Sequence, residues 1–265
     1  MKIFDYTPDY YVEKKWLANI LSHVSGDLSV VIRDKGDQPT PESKYISIIT
    51  STEQHNYIPI DDLHNDNCVG VFMNYAPIQG DSYQIDNFYR HPKLHHLPLG
   101  YHKDFPVKKP WLTRLTHERE FDVCFWGQYD PYRRLDFVRA CERIATKYKT
   151  SFKFYTGWNK GASAQEYAQI LENSVVALVP WGSASRNSFR FWEAYYSDCI
   201  ILCNEQYNTW YNNINYFTCK DDWSDIEEQI DFILRNKMLI SINKSTDEFF
   251  DEKEVAEYIM GVICQ

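Results

Sequence analysis

VVALVPWGSASRNSFRFWEAYYSDCIILCN, residues 175–204, reads as strand, loop, helix and strand. VVALVP (175–180) is a solid apolar run, the mark of a strand covered on both faces. A loop of small residues follows, Gly182-Ser183-Ala184-Ser185, and a helix opens near Ser185–Ser188 and runs over SFRFWEAYYSD (188–198). Its spacing turns Phe189, Trp192 and Tyr196 toward a core. CIILCN (199–204) is a second buried strand. Two such strands joined by a helix make a parallel crossover unit.

The pattern repeats on both sides. FDVCFWG (121–127) predicts a buried strand, and PYRRLDFVRACERIATKY (131–148) an amphipathic helix with Pro131 in its first turn. SFKFYTG (151–157) predicts a strand. SAQEYAQILENS (163–174) predicts a helix with Ser163 as N-cap and Glu166 at the capping-box position. WSDIEEQIDFILRNK (223–237) is a further helix with Ser224 as its cap, and FDEKEVAEYIMGVIC (250–264) is the last. Toward the N-terminus, 10–24 has apolar residues at helical spacing. LSVVIRD (28–34), YISIIT (45–50), VGVFMNYA (69–76) and HLPLGY (96–101) read as strands. The Pro-containing, charged stretch 106–120 reads as a linker. The expectation is α/β: two Rossmann-like lobes, 1–105 and 119–250, whose parallel sheets face a central cleft, with 251–265 packing on the N-terminal lobe. Doubly wound sheets take ligands at the carboxyl ends of their strands, which points to the loops after 127, 157, 180 and 204.

Composition removes several alternatives. Of 265 residues, 28 are Lys or Arg and 37 Asp or Glu, for a net charge of −9. That balance argues against a nucleic-acid partner, which needs a basic face. No run approaches the ~18 apolar residues of a membrane span, and MKIFDYTPDYYVEKKW lacks the apolar core of a secretory signal. Seven Cys without any C-x-x-C pair read as buried thiols of a reducing compartment, so a cytoplasmic location is expected, free or peripheral to a membrane. HPKLHH (91–96) has no zinc-ligand spacing, so no metal is expected. Aromatic residues reach 16%, while Gly numbers only 10.

The helix opening near residue 188 carries the chemistry. Its free N–H groups and positive dipole end suit a phosphate. Arg190 adds bidentate phosphate donors, and Glu193, three residues on, can accept from two hydroxyls such as a ribose diol. Loop, Arg and Glu together form a candidate diphosphate-and-ribose clamp, with Gly182, Ser185 and Ser188 as its loop members. The same spacing also suits a plain Arg190–Glu193 pair on a solvated face.

The stretch GSASRNSFRFWEAYYSDCIIL resembles the signature of the exostosin-like glycosyltransferases (family 47): a small-residue loop, S-x-R-x-x-E-A, then a small or acidic residue, Cys and a β-branched strand. Ser188, Arg190, Glu193, Ala194, Cys199 and Ile200 carry the match, and E-Y-A-x-x-L-x-N-S-x-x-x-L-x-P (166–180) adds to it. Asp198 stands where Gly is usual. The resemblance spans about 119–236. It implies a GT-B fold, a nucleotide-sugar donor, most often UDP-linked, held by Arg190 and Glu193, and inversion at the anomeric carbon without a metal cofactor. It also implies a cytoplasmic relative of bacterial or viral type without a membrane anchor. By the same resemblance the loop WGQYDPYRR faces the donor, Gly127 admitting close approach and Arg133 or Arg134 reaching the diphosphate while the other faces solvent, and Trp158 in FYTGWNKG stacks on the base or covers the sheet edge. The acceptor would be a glycan, lipid-linked or glycoprotein-linked, bound by the N-terminal lobe. That lobe would supply the general base, with Asp34 at a strand's carboxyl end preferred, His55 second, and Asp37, Glu42 and Glu53 also available. A two-lobed nucleotide-sugar epimerase, a carbohydrate-binding protein and a DNA glucosyltransferase remain open, the last disfavoured by charge.

Overall fold

The computed structural model describes residues 1–9, 11–34, 38–50, 59–74, 91–107, 118–130, 132, 134–157, 160–182, 188–206, 209–211, 214–245 and 251–264. In chain order the elements are β1 (Lys2–Asp5), α1 (Lys14–His23), β2 (Ser29–Arg33), β3 (Tyr45–Ile49), α2 (Ile60–His64), β4 (Cys68–Met73) and β5 (Leu94–His96). Then follow β6 (Phe121–Gln128), α3 (Leu135–Ile144), β7 (Thr150–Tyr155), α4 (Ala164–Glu172), β8 (Ser174–Val179) and α5 (Phe189–Tyr196). The chain ends with β9 (Ile200–Asn204), β10 (Phe217–Cys219), α6 (Ile226–Ser245) and α7 (Glu252–Ile263). They form two compact units, Met1–Lys103 with Phe249–Gln265, and Asp104–Glu248.

In the first unit the strands lie in the order β1-β2-β3-β4-β5, all parallel. β2 and β3 are buried along their whole length, which is why they read as unbroken apolar runs. β1 is the edge strand and is largely exposed, so its sequence carries no such signal. The strand expected at 96–101 lies instead at Leu94–His96, in register with Val71–Met73. Pro98 cannot donate to a ladder, and Gly100 turns at φ 68° so that its backbone lies against the Trp16 indole, where a Cβ would come within 2.2 Å. A buried polar group anchors this unit: Asp62 accepts from the Tyr45 and Ser47 hydroxyls, both at 2.7 Å, and pairs with Arg33 at 3.6 Å. Helix α7 is tied in by Glu252, which accepts from Tyr101 Oη at 2.7 Å, while Asn19 of α1 donates to the same phenol at 2.9 Å.

In the second unit the order is β10-β9-β8-β6-β7, again parallel. Val123, Phe125, Val176 and Leu178 from the sheet meet Phe137, Ile144, Ile226, Ile230 and Ile233 from α3 and α6 in one core. The capping box at Ser163 and Glu166 is formed as its spacing predicts. Two helix starts differ from expectation. The helix after β6 begins at Leu135 rather than in the turn of Pro131, because Asp130 Oδ1 holds the Tyr132 N–H at 3.0 Å in a turn that delays it. Helix α6 begins at Ile226, because the Asp222 carboxylate holds the Ser224 N–H at 3.0 Å and leaves Ser224 ahead of the helix. All seven thiols are free; six are buried, and burial pushes Cys68 up to about 11 and Cys203 up to about 12. No described helix is long and apolar enough to cross a membrane.

The amino end of the second sheet closes on one side chain. Arg119, 2% exposed, donates to the carbonyls of Leu171 (3.1 Å), Ser174 (2.7 Å), Ser197 (3.1 Å) and Asp198 (3.0 Å). It also pairs with the Asp198 carboxylate at 3.7 Å. Asp198 has φ 57°, the left-handed conformation that ends a helix and favours Gly. The departure from Gly at this position is therefore compensated by Arg119. Arg119→Ala is expected to lower stability by about 3–5 kcal/mol, since it takes the charged donor from four carbonyls and leaves two of them only the weak Cys199 thiol. Asp198→Gly should cost less than about 1 kcal/mol, because the backbone gain offsets the lost pair. Urea unfolding of both variants checks the order, and similar losses in the two would contradict it.

A pH dependence follows in the first unit. His95 stacks on Phe72 at 5.1 Å and lies 3.2 Å from Tyr258 Oη of α7. Burial holds both His95 and His96 below the ordinary 6.5, His96 further because of His95. The fold therefore favours the neutral rings, and the unfolded chain takes up protons first as pH falls. Stability is expected to be full above about pH 7 and to decline through pH 6.5 toward 5. Denaturation midpoints at pH 7.5 and 5.5 measure this, and His95→Phe should flatten the difference.

Candidate active site

The second sheet reverses direction at β6. From β6 the chain passes to β7 on one side and returns to β8 on the other, so β6 and β8 are neighbours whose loops diverge. A crevice forms at the carboxyl ends of such a pair. The residues gathered there come from the loop after β6, the loop after β8 and the first turn of α5.

Helix α5 opens at Ser188, whose buried side chain accepts the Arg190 N–H at 3.3 Å. The helix is apolar on nearly every side. Phe191, Trp192, Ala194, Tyr195 and Tyr196 are all buried, beyond the single stripe its spacing predicts. Phe191 packs edge-on to Tyr211 (4.5 Å) and Tyr216 (5.4 Å). This aromatic packing fixes the helix and so fixes where its polar residues point.

Arg190 reaches across to β6. Its Nε donates to the Trp126 carbonyl at 3.2 Å, and its guanidinium lies over the Phe125 ring at 5.6 Å. Gly127 makes room for it: a Cβ there would stand 2.7 Å from an Arg190 terminal nitrogen and 2.6 Å from the Phe125 ring. Glu193 is only 6% exposed, so it does not lie on a solvated face. Tyr167 of α4 is in electrostatic reach of both. Burial holds its phenol well above the ordinary range, Arg190 pulls it down and Glu193 pushes it up. Arg190 and Glu193 thus both act electrostatically on Tyr167, which the sequence marked only as part of the E-Y-A motif at 166–180.

Arg134, which the resemblance turns toward the donor, stands at the start of α3. It is 9% exposed and donates to the Gln128 carbonyl at 3.1 Å and the Trp181 carbonyl at 2.6 Å. It therefore braces the loop after β6 against the loop after β8. Gly182 follows Trp181 in the braced loop, half-buried. Ser185, Arg133 and Trp158 lie outside the described residues, as do His55, Glu53 and Asp37. Asp34 stands just past β2 in the first unit, with Oδ2 accepting from Tyr11 Oη at 2.9 Å and Oδ1 from Gln38 Nε2 at 3.3 Å. Among the described residues no group of three or more His, Cys, Asp or Glu is placed to hold a metal ion.

No family model and no curated protein matches the sequence. Solved structures do match the fold. An α-glucosyltransferase in complex with UDP and a 13-mer DNA containing an HMU base aligns over 96% of this chain and 84% of that one, with a TM-score of 0.57 and 7% identity. An α1,3-fucosyltransferase with GDP-fucose aligns over 100% of this chain and 90% of that one, with a TM-score of 0.51 and 11% identity. The fold is of the GT-B type. Two α/β units, each with five parallel strands, are what the chain has in common with these proteins.

The contact between Gly127 and Arg190 is testable on its own. Gly127→Ala is expected to destabilise by about 1–3 kcal/mol through overpacking. The cost should shrink in an Arg190→Ala background, where one of the two obstructing side chains is gone. A double-mutant cycle by urea unfolding measures the coupling, and equal costs in the two backgrounds would place Arg190 elsewhere.

Proposed function

We propose that the chain transfers a sugar from a nucleotide-sugar donor to a hydroxyl of a glycan acceptor. One observation carries this reading. At the strand switch of a fold found in sugar-nucleotide transferases, Arg190 is anchored on the Trp126 carbonyl beside a helix N-terminus, with buried Glu193 one turn on. The Nε bond leaves the two terminal nitrogens of the guanidinium as the edge that takes a diphosphate. Glu193 accepts from the ribose hydroxyls. Arg190 and the positive end of α5 stabilise charge on the leaving diphosphate, so no metal is required for that task.

The finer reading follows the resemblance to exostosin-like transferases: a UDP-linked hexose or pentose, inversion, and a glycan acceptor bound by the first unit. A net charge of −9 weighs against a nucleic-acid acceptor, although one structural relative was solved with DNA. Inversion needs a base on the acceptor hydroxyl. Asp34 stays the preferred candidate, with one hydrogen bond on each oxygen and acceptor capacity left on both.

Ligand-induced stabilisation tests the donor site. UDP or GDP should raise the melting temperature. Arg190→Ala and Glu193→Gln should each weaken that nucleotide at least tenfold, about 1.4 kcal/mol, with unchanged circular dichroism. Wild-type affinity in both variants would refute the clamp. An epimerised product from a UDP-sugar without acceptor would favour the epimerase, and glycan binding without nucleotide binding would favour a lectin-like protein. Activity retained in EDTA is expected.

A further inference from the structure

In the first unit the Tyr11 phenol reaches the Asp34 carboxylate, with Oη 2.9 Å from Oδ2. Asp34 follows β2 at its carboxyl end, and strand pairing on both sides continues to that level. The Tyr6 N–H is bound to the Ile32 carbonyl at 2.9 Å, and the Thr50 N–H to the Arg33 carbonyl at 3.0 Å. The backbone leading into Asp34 is thereby fixed between two neighbouring chains. The carboxylate is not fixed by this, because the torsion that turns it is broad and roughly two-fold. Its orientation is set by the donor on each oxygen.

The two donors are held with different firmness. The Tyr11 N–H is bound to the Pro8 carbonyl at 3.0 Å, and the carbonyl of the next residue, Val12, takes the Lys103 N–H at 2.8 Å. Helix α1 begins two residues later and is seated by Trp16, Leu17, Ile20 and Leu21, all buried. The phenol is a rigid ring on two side-chain torsions, so this anchored backbone carries it to one place. Gln38 reaches Oδ1 from a more flexible side chain and at 3.3 Å, beyond the usual range for an N–H donor. Tyr11 is therefore the stronger constraint. Each carboxylate oxygen has two acceptor positions, so both bonds together leave room for an acceptor hydroxyl.

We propose that Tyr11 is a positioning residue for sugar transfer: its phenol holds the Asp34 carboxylate in the orientation that receives the proton of the acceptor hydroxyl. This role rests on the transferase reading above. In the step it serves, the acceptor oxygen forms its bond to the anomeric carbon and its proton passes to Asp34. The bond from that carbon to the diphosphate breaks, and its electron pair leaves on the diphosphate. A carboxylate free to turn spends less time in line with the acceptor, which lowers turnover and leaves donor binding alone.

Nucleotide release from UDP-glucose, UDP-galactose, UDP-N-acetylglucosamine and GDP-fucose, with water in place of the acceptor, supplies the turnover to compare. Tyr11→Phe keeps the ring and removes the donor. It should lower kcat about tenfold, with donor KM and nucleotide-induced stabilisation as in the wild type. Gln38→Ala should lower kcat by less. In an Asp34→Ala background, Tyr11→Phe should cost less than about twofold, since nothing remains to be positioned. A purely structural role would cost the same factor in both backgrounds, and that result overturns the proposal. Wild-type turnover in Tyr11→Phe overturns it as well and leaves the transferase reading standing. Should Asp34→Ala leave no measurable turnover, Tyr11→Phe decides alone, and a raised donor KM with kcat retained counts against the role. If none of the four donors releases its nucleotide and neither UDP nor GDP stabilises the protein, the transferase reading falls and this role falls with it.

Discussion

Two neighbouring strands, β6 and β8, send their chains away in different directions, and the second unit depends on how that gap is held. At a strand switch the main chain cannot bridge itself, because each loop leaves its own strand before its neighbour can pair with it. Side chains do the bridging. Arg134 takes one carbonyl from each loop, and Arg190 returns from the far loop to the carbonyl of Trp126. All three bonds are from a charged donor to a backbone acceptor, the stronger class of hydrogen bond. The crevice is thus built from the same chemistry that a bound anion would exploit.

The opposite end of that sheet shows the same solution in a purely structural role. Arg119 gathers four carbonyls from the ends of α4, β8 and α5, where helices and strands leave acceptors without partners. One guanidinium satisfies what would otherwise need several waters. It also holds Asp198 in a left-handed conformation. The position of α5 is therefore fixed from its C-terminal end by Arg119 and along its length by Phe191 and Trp192 against Tyr211. A helix so constrained presents Ser188 and Arg190 in one orientation, which is the preorganisation that a charged ligand needs.

What could be read from sequence was what burial writes directly into composition. Strands covered on both faces, such as β2, β8 and β9, are continuous apolar runs, and their helical partners follow from spacing. The edge strand β1 escaped because it is mostly exposed, and the three-residue β10 because it is too short to show a period. Arg190 and Glu193 were found, but their surroundings were not. An Arg and a Glu three apart on a helix look the same whether solvated or buried, and the groups that meet Arg190 arrive from residues 125–127. Arg119 was legible only as charge, and Arg134 only as a residue of the loop expected to face the donor. Their role depends on carbonyl positions, and a carbonyl leaves no trace in a side-chain pattern.

The contrast between the two units bears on how each handles polar ligands. The second sheet reverses, and the reversal opens a crevice lined by cationic side chains and a helix N-terminus. The first sheet runs β1 to β5 without reversal, so it has no switch point. Its open space lies instead at one edge, between β1 and α1, and its cationic group, Lys14, is neutralised by Asp5 and Asp9. The two units thus differ in strand order, and among the described strands the switch point at which such sheets take ligands lies in the second.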